Sequence, residues 1–181
     1  MIILGIDPGS RCMGCGLVRC VDGTFELIEF GVFRPSSAAA LHEIYDHVSL
    51  LIGAQRPDVC AIEMPVYGRN PQSMLKLGRA QAAAMLAAMH AKVPVTEYSP
   101  KEVKRSVTGN GNASKEQVWY MIRSLLSIAD EDETLDTDAS DALAVALCHG
   151  HRLNKGTLSS SSAAGGWASF LRQNPERVKR A

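Results

Sequence analysis

The chain contains no long hydrophobic run. No apolar stretch reaches the ~18 residues of a membrane-crossing helix. The N-terminus lacks the basic start and cleavage site of an export signal. An intracellular, cytoplasmic protein with no membrane partner is therefore expected. Net charge is also absent: 19 Lys and Arg balance 19 Asp and Glu over 181 residues. Cysteine is scarce and odd in number, five residues set mostly in apolar surroundings, which fits a reducing compartment. Cys12 and Cys15 form a C-x-x-C, but no second pair or suitably spaced His completes a zinc site, so buried strand cysteines are expected. No Ser-His-Asp or Cys-His arrangement is evident, and no internal repeat. What remains is one ordinary globular domain, 46% apolar and long enough to bury a core.

The charge that is present is unevenly placed. Between Arg69 and Lys115 lie Arg69, Lys76, Arg79, Lys92, Lys101, Lys104, Arg105 and Lys115. Only Glu97 and Glu102 oppose them, a net +6. Acids concentrate instead in Asp130–Glu133 and at three separate places discussed below. A zero sum built this way is compatible with gripping a phosphate backbone. Solvated helix faces would give the same count.

Residues 2–7 read as a strand ending in the turn Asp7-Pro8-Gly9-Ser10. Residues 13–20 and 25–33 read as two more strands, joined at Asp22-Gly23 into an antiparallel meander. Helical spacing covers 38–55, and Val59–Glu63 is an apolar strand suited to a parallel sheet. Asn70-Pro71 starts a helix that runs to about 90, and 93–97 is a fifth strand. Ser99-Pro100-Lys101-Glu102 opens a helix that Gly109–Asn112 ends; Ser114 with Gln117 opens the next, to about 127. An acidic loop spans 128–136, and a last helix about 137–150. The fold class is α/β, a five-stranded mixed sheet with helices on both faces. Residues 1–150 form the domain. Residues 151–181, rich in Ser and Gly and net +5, are expected to be a flexible basic tail.

Three segments carry carboxylates that need explanation. Asp7 ends the first strand, Glu63 ends the fourth, and Asp138 and Asp141 share one face at the start of the last helix. Each has a plain reading: a turn aspartate, a strand-tip acid, and helix-start acidity that the dipole favours. Together they are acids from three elements that repel unless a cation lies between them. Such a set can hold two divalent ions about 4 Å apart, the arrangement that hydrolyses phosphate esters. His149, two turns after Asp141, is expected to be a satisfied histidine rather than a ligand.

These residues, in this order, resemble the RuvC-type Holliday-junction resolvases, members of the ribonuclease H-like nucleases. The matching stretches are Ile3–Ser10, Ala61–Glu63, Ser73–Gly78, Val103-Lys104, Gly109–Lys115 and Asp138–Ala146. The resemblance implies a ribonuclease H-like fold and a homodimer that cuts a four-way DNA junction by paired symmetric nicks, in recombination and repair. It implies Mg²⁺ or Mn²⁺, two ions per subunit, held by the catalytic acids Asp7, Glu63, Asp138 and Asp141. Lys104 and Lys115 match basic residues near the scissile phosphate. The RuvA/RuvB branch-migration complex is the implied partner. At the family's aromatic position after the glutamate this chain has Val66, with Tyr67 one place on. Further DNA contacts are expected from Tyr67, Arg69, Lys76, Arg79, Lys101 and Arg105. The dimer is expected through the helix at 71–90, which is apolar on more than one face.

Two other readings compete. A ribonuclease H-like nuclease on another nucleic acid would carry the same metal site. An actin/Hsp70-class ATPase fragment would share the opening strand and turn, but that class needs a duplicated domain and a second glycine-rich phosphate loop, which the sequence lacks.

Overall fold

A computed structural model describes residues 1–65, 70–128 and 137–161. The elements are β1 (Ile2–Asp7), β2 (Met13–Val21), β3 (Thr24–Phe33), α1 (Leu41–Gln55), β4 (Val59–Glu63), α2 (Pro71–His90), β5 (Val95–Tyr98), α3 (Pro100–Thr108), α4 (Lys115–Leu126) and α5 (Thr137–Ser161). The sheet order is β3-β2-β1-β4-β5. The first three strands form the antiparallel meander, and β4 and β5 lie parallel to β1 and to each other.

Helices cover both faces. Because side chains alternate along a strand, Ile3 of β1 points to one face and Leu4 and Ile6 to the other. Ile3, Val18, Val59 and Ala61 pack under α3, α4 and α5. Leu4, Ile6, Leu17, Cys60 and Ile62 pack under α1 and α2. Burial on both faces explains why β1 and β4 read as continuous apolar runs.

The helix starts follow local chemistry. The Asn70 side chain accepts hydrogen bonds from the Gln72 and Ser73 amides at 3.0 and 3.4 Å, with Pro71 in the first turn. Ser99 with Glu102, and Ser114 with Gln117, form reciprocal capping boxes. Asp22 and Gly23 both have positive φ, as a two-residue hairpin turn requires.

Three boundaries differ from the sequence reading. α1 begins at Leu41, not 38, because residues 37–40 form a turn closed by the Ala40 amide on the Ser37 carbonyl. β5 begins at Val95, not 93: the Val93 amide still bonds to Ala88 at the end of α2, and Pro94 has no N–H to offer. α5 continues to Ser161 rather than ending near 150. Its continuous burial stops at Gly150, so apolar periodicity marked the packed part of the helix and not its end.

α5 lies unusually close to β1 and β2. A Cβ on Gly5 would overlap the Ala142 carbonyl oxygen, and one on Gly14 would overlap the Asp138 carbonyl oxygen. Only glycine lets the helix backbone settle there. The second contact sits at the acidic start of α5 and fixes its height above the sheet.

Candidate active site

The parallel register pairs Ile6 with Ile62, so the next residues, Asp7 and Glu63, leave adjacent strand tips side by side. α5 crosses above them with Asp138 and Asp141 in its first two turns. Oxygens of Asp7, Asp138 and Asp141 lie within 4.8 Å of one another. Glu63 joins through a hydrogen bond in which its carboxyl donates to Asp7.

The acids are mostly enclosed and mutually repulsive. Burial, then the charges of Asp141 and Asp138, push the Asp7 carboxyl up to about 7 from an ordinary 3.8. Burial, then the charges of Asp7 and Asp141, push Glu63 up to about 8. Desolvation and like charge both favour the protonated form, and the shared proton is the partial remedy. Lys115 is the local counter-charge. Its Nζ lies 2.8 Å from Asp141 Oδ2, and that contact is the main reason its own pKa is raised. The Lys115 side chain is nevertheless 60% exposed at the mouth of the site. Lys104 donates to the Ala113 carbonyl at 2.9 Å, which fixes it across the α3–α4 turn.

All four acids and both lysines line one cleft of about 450 Å³. Lys76, Arg79, Lys101 and Arg105 lie outside it, exposed on α2 and α3. Tyr67 and Arg69 fall outside the described residues. The cleft also has apolar walls that were not foreseen: Met64 and Pro65 after Glu63, Leu77 from α2, Val103 from α3 and Val118 from α4. Cys12 lines it as well, whereas Cys15 is buried under the opposite face of the sheet. The sequence offered one signal for the walls, the position of Met64 directly after the strand-tip acid. His149 is buried away from the cleft, its Nδ1 2.8 Å from the Tyr98 hydroxyl.

The donor set suits a hard cation. It is all oxygen, crowded, and deficient in positive charge, which describes a Mg²⁺- or Mn²⁺-type site and not a zinc site. Asp7, Asp138 and Asp141 could share one ion directly, with Glu63 beside them.

The family model described as crossover junction endodeoxyribonuclease RuvC matches residues 3–149. The chain belongs to the RuvC family. The crossover junction endodeoxyribonuclease RuvC of Salinibacter ruber is 53% identical over 98% of this chain and 99% of its own length. That of Cytophaga hutchinsonii is 48% identical over 98% and 88%. Thermus thermophilus RuvC, solved in complex with Holliday junction substrate, superposes with a TM-score of 0.80 at 31% identity, covering 87% of this chain and 97% of that one. The fold is thus that of RuvC and the ribonuclease H-like resolvases; membership of this nuclease family implies dependence on a divalent metal, and an acidic cluster is present in the cleft. Family membership sets aside the actin/Hsp70 reading. No described helix is long and apolar enough to cross a membrane.

Proposed function

We propose that this RuvC-family chain is a structure-selective endonuclease that resolves four-way DNA junctions by paired, symmetric nicks. The observation that carries the reading is the gathering of Asp7, Asp138 and Asp141 within 4.8 Å, with Glu63 hydrogen-bonded to Asp7, in a cleft flanked by two lysines. Asp7, Glu63, Asp138 and Asp141 hold the metal, two Mg²⁺ or Mn²⁺ ions per subunit. Divalent ions bound there supply an activated water and stabilise the departing 3′ oxygen in an in-line displacement.

The chain's own groups do the rest. Asp7 and Glu63 give up their shared proton when a cation is bound, because the cation removes the repulsion that retained it. Lys115 braces Asp141 and presents an exposed ammonium to the phosphate. Lys104, tied to Ala113, adds a second positive charge from α3. Both act where negative charge builds in the transition state. The apolar walls exclude water beside the reacting strand. Lys76, Arg79, Lys101 and Arg105, with Tyr67 and Arg69, extend the contact along the DNA.

Paired nicks need two active sites, and α2 supplies a surface for a homodimer. Leu75, Leu86 and Met89 are 55–62% exposed, and with Ala82 they fall on one stripe of the helix. An apolar stripe of this kind marks an interaction surface. The partner is a second copy, and the setting is cytoplasmic recombination and repair alongside the RuvA/RuvB branch-migration complex.

The deciding experiment compares a four-way junction, a linear duplex and an RNA–DNA hybrid, each with Mg²⁺ or Mn²⁺. Symmetric, ligatable nicks confined to the junction are expected. Preferential cleavage of the hybrid would move the chain to another ribonuclease H-like activity.

A further inference from the structure

Beyond the catalytic cleft, α3 and α5 enclose a second pocket of about 280 Å³. It is lined by Tyr98, Glu102, Arg105, Ser106, His151 and Arg152. Two guanidinium groups converge on it. Among the described residues neither closes an ion pair with a carboxylate. Glu102 is the only acid in the lining, and its Oε2 is engaged by the Ser99 amide and hydroxyl at 2.9 and 2.6 Å. That carboxylate is hydrogen-bonded at the start of α3 and also feels the charges of Arg152 and Arg105, so the pocket sets two positive groups against one negative.

The Arg152 side chain is exposed, and its guanidinium lies 5.9 Å from the centre of the Tyr98 ring, within cation–π range. Tyr98 is itself buried and pinned by its hydroxyl to His149. His151 Nδ1 lies 3.2 Å from the Ser106 hydroxyl, and its ring meets Phe25 edge-on. Two positive groups lining one pocket, beside a hydroxyl and an imidazole, are the components of an anion site.

Position says which anion. Lys104 and Arg105 are consecutive on α3, yet Lys104 lines the catalytic cleft and Arg105 lines this pocket. Arg152 follows Asp141 by eleven residues on α5. At 1.5 Å per residue that is about 16 Å along α5.

We propose that the pocket between α3 and α5 binds one backbone phosphate of a junction arm, held by Arg105 and Arg152, about 16 Å from the catalytic acids. The inference rests on junction DNA being the substrate. It assigns the pocket to positioning the arm and gives it no part in the chemistry.

Two measurements test it. In the first, single phosphates of the junction are replaced by neutral methylphosphonates and binding to the unaltered protein is measured. Loss of affinity is expected at one phosphate of an arm, separate from the phosphates at the nick. In the second, Arg105→Gln, Arg152→Gln and the double variant are compared with Arg152→Lys. The double variant should show a dependence of log affinity on log salt shallower by about one. In that variant the methylphosphonate effect at that phosphate should disappear. Arg152→Lys should restore much of the salt dependence, since it keeps the charge. An unchanged salt slope in a folded double variant overturns the proposal. So does a methylphosphonate scan of the unaltered protein with no effect beyond the phosphates at the nick. Inorganic phosphate protecting Arg105 and Arg152 from arginine-selective labelling, where junction DNA does not, also overturns it in favour of a free anion. If the unaltered protein fails to cleave junctions at all, the functional reading fails first, and the two failures are distinct.

Discussion

Replacing Asp7 by Asn should abolish cleavage and at the same time stabilise the metal-free protein at pH 8. Burial and two neighbouring carboxylates move the Asp7 carboxyl from 3.8 to about 7. At about 1.4 kcal/mol per pH unit, that is a penalty of about 4 kcal/mol for the ionised form in the folded state. Water entering the cleft and relaxation of the neighbours reduce it, and about 2 kcal/mol is a fair expectation for the variant's gain. The direction with pH follows from the raised value. Below about pH 4 the folded and unfolded chains both carry the proton, so wild type has no handicap. As pH rises, the unfolded chain releases its proton first, and the folded chain loses stability until about pH 7. Glu63, pushed up to about 8, extends the same trend. Asparagine cannot ionise, so its curve is flatter and the two converge toward low pH. The assay is thermal unfolding in EDTA from pH 5 to 8.5, repeated with millimolar Mg²⁺. At about 2–4 °C per kcal/mol for a chain this size, the variant should melt roughly 4–8 °C above wild type at pH 8 in EDTA. Mg²⁺ should raise the wild-type midpoint more than the variant's, and junction binding should survive in both. A variant that melts below wild type in EDTA at pH 8, or an equal Mg²⁺ shift in both proteins, would refute the reasoning.

Lys115→Ala should slow single-turnover cleavage on the order of 100-fold while weakening junction binding far less, because it removes charge beside the reacting phosphate; Lys104→Ala should act the same way. A large loss of affinity at an unchanged single-turnover rate would make them plain backbone contacts. Leu86→Asp combined with Met89→Asp should give a soluble protein that sediments as a monomer and no longer makes paired nicks, since both side chains stand exposed on the α2 stripe. A wild-type chain that stays monomeric on the junction would contradict that surface. Truncation after Arg152 removes the end of α5, and among the described residues the continuous burial of that helix ends earlier, at Gly150. The unfolding transition and the saturated cleavage rate should persist, while the salt dependence of binding becomes shallower through loss of Lys155 and the basic residues of 172–180.

Much of this architecture was legible because its signals are local. Asn70-Pro71, Ser99 with Glu102 and Ser114 with Gln117 each satisfy helix-end amides within a few residues, and each marks a helix start in the structure. The strands could be read because β1 and β4 are buried on both faces and therefore almost wholly apolar. The four acids could be grouped because ionisable residues at the tips of such strands are otherwise costly. What stayed hidden depends on contacts between distant segments. The order of α2's faces is one case: its sequence is apolar on more than one face, but Ala80, Ala84, Ala87 and Ala88 face the protein while Leu75, Leu86 and Met89 face outward. Composition gave the apolar character but not which face carried the large side chains. The cleft walls Leu77, Val103 and Val118 are another case, since they come from three separate helices that meet only in the folded chain.

The glycines of the sheet link fold to chemistry. A helix normally stands off a sheet by the thickness of side chains on both sides. At Gly5 and Gly14 there are none on the sheet side, and the α5 backbone descends onto β1 and β2. The Gly14 contact is with the carbonyl of Asp138 itself, so the residue that lowers the helix also lowers a carboxylate onto Asp7. Hydrophobic packing further along α5, through Leu143 and Leu147, resists the repulsion this creates. The raised pKa values of Asp7 and Glu63 are the visible result: the core holds together charges that would separate if they were free. A cation entering the cleft needs little rearrangement of its ligands, because their convergence was enforced during folding. The same rigidity predicts where the site is vulnerable. A methyl group at Gly14 would press on the Asp138 backbone, lift the start of α5 and spread the acids without touching any carboxylate, so metal binding should fail in that protein before its fold does.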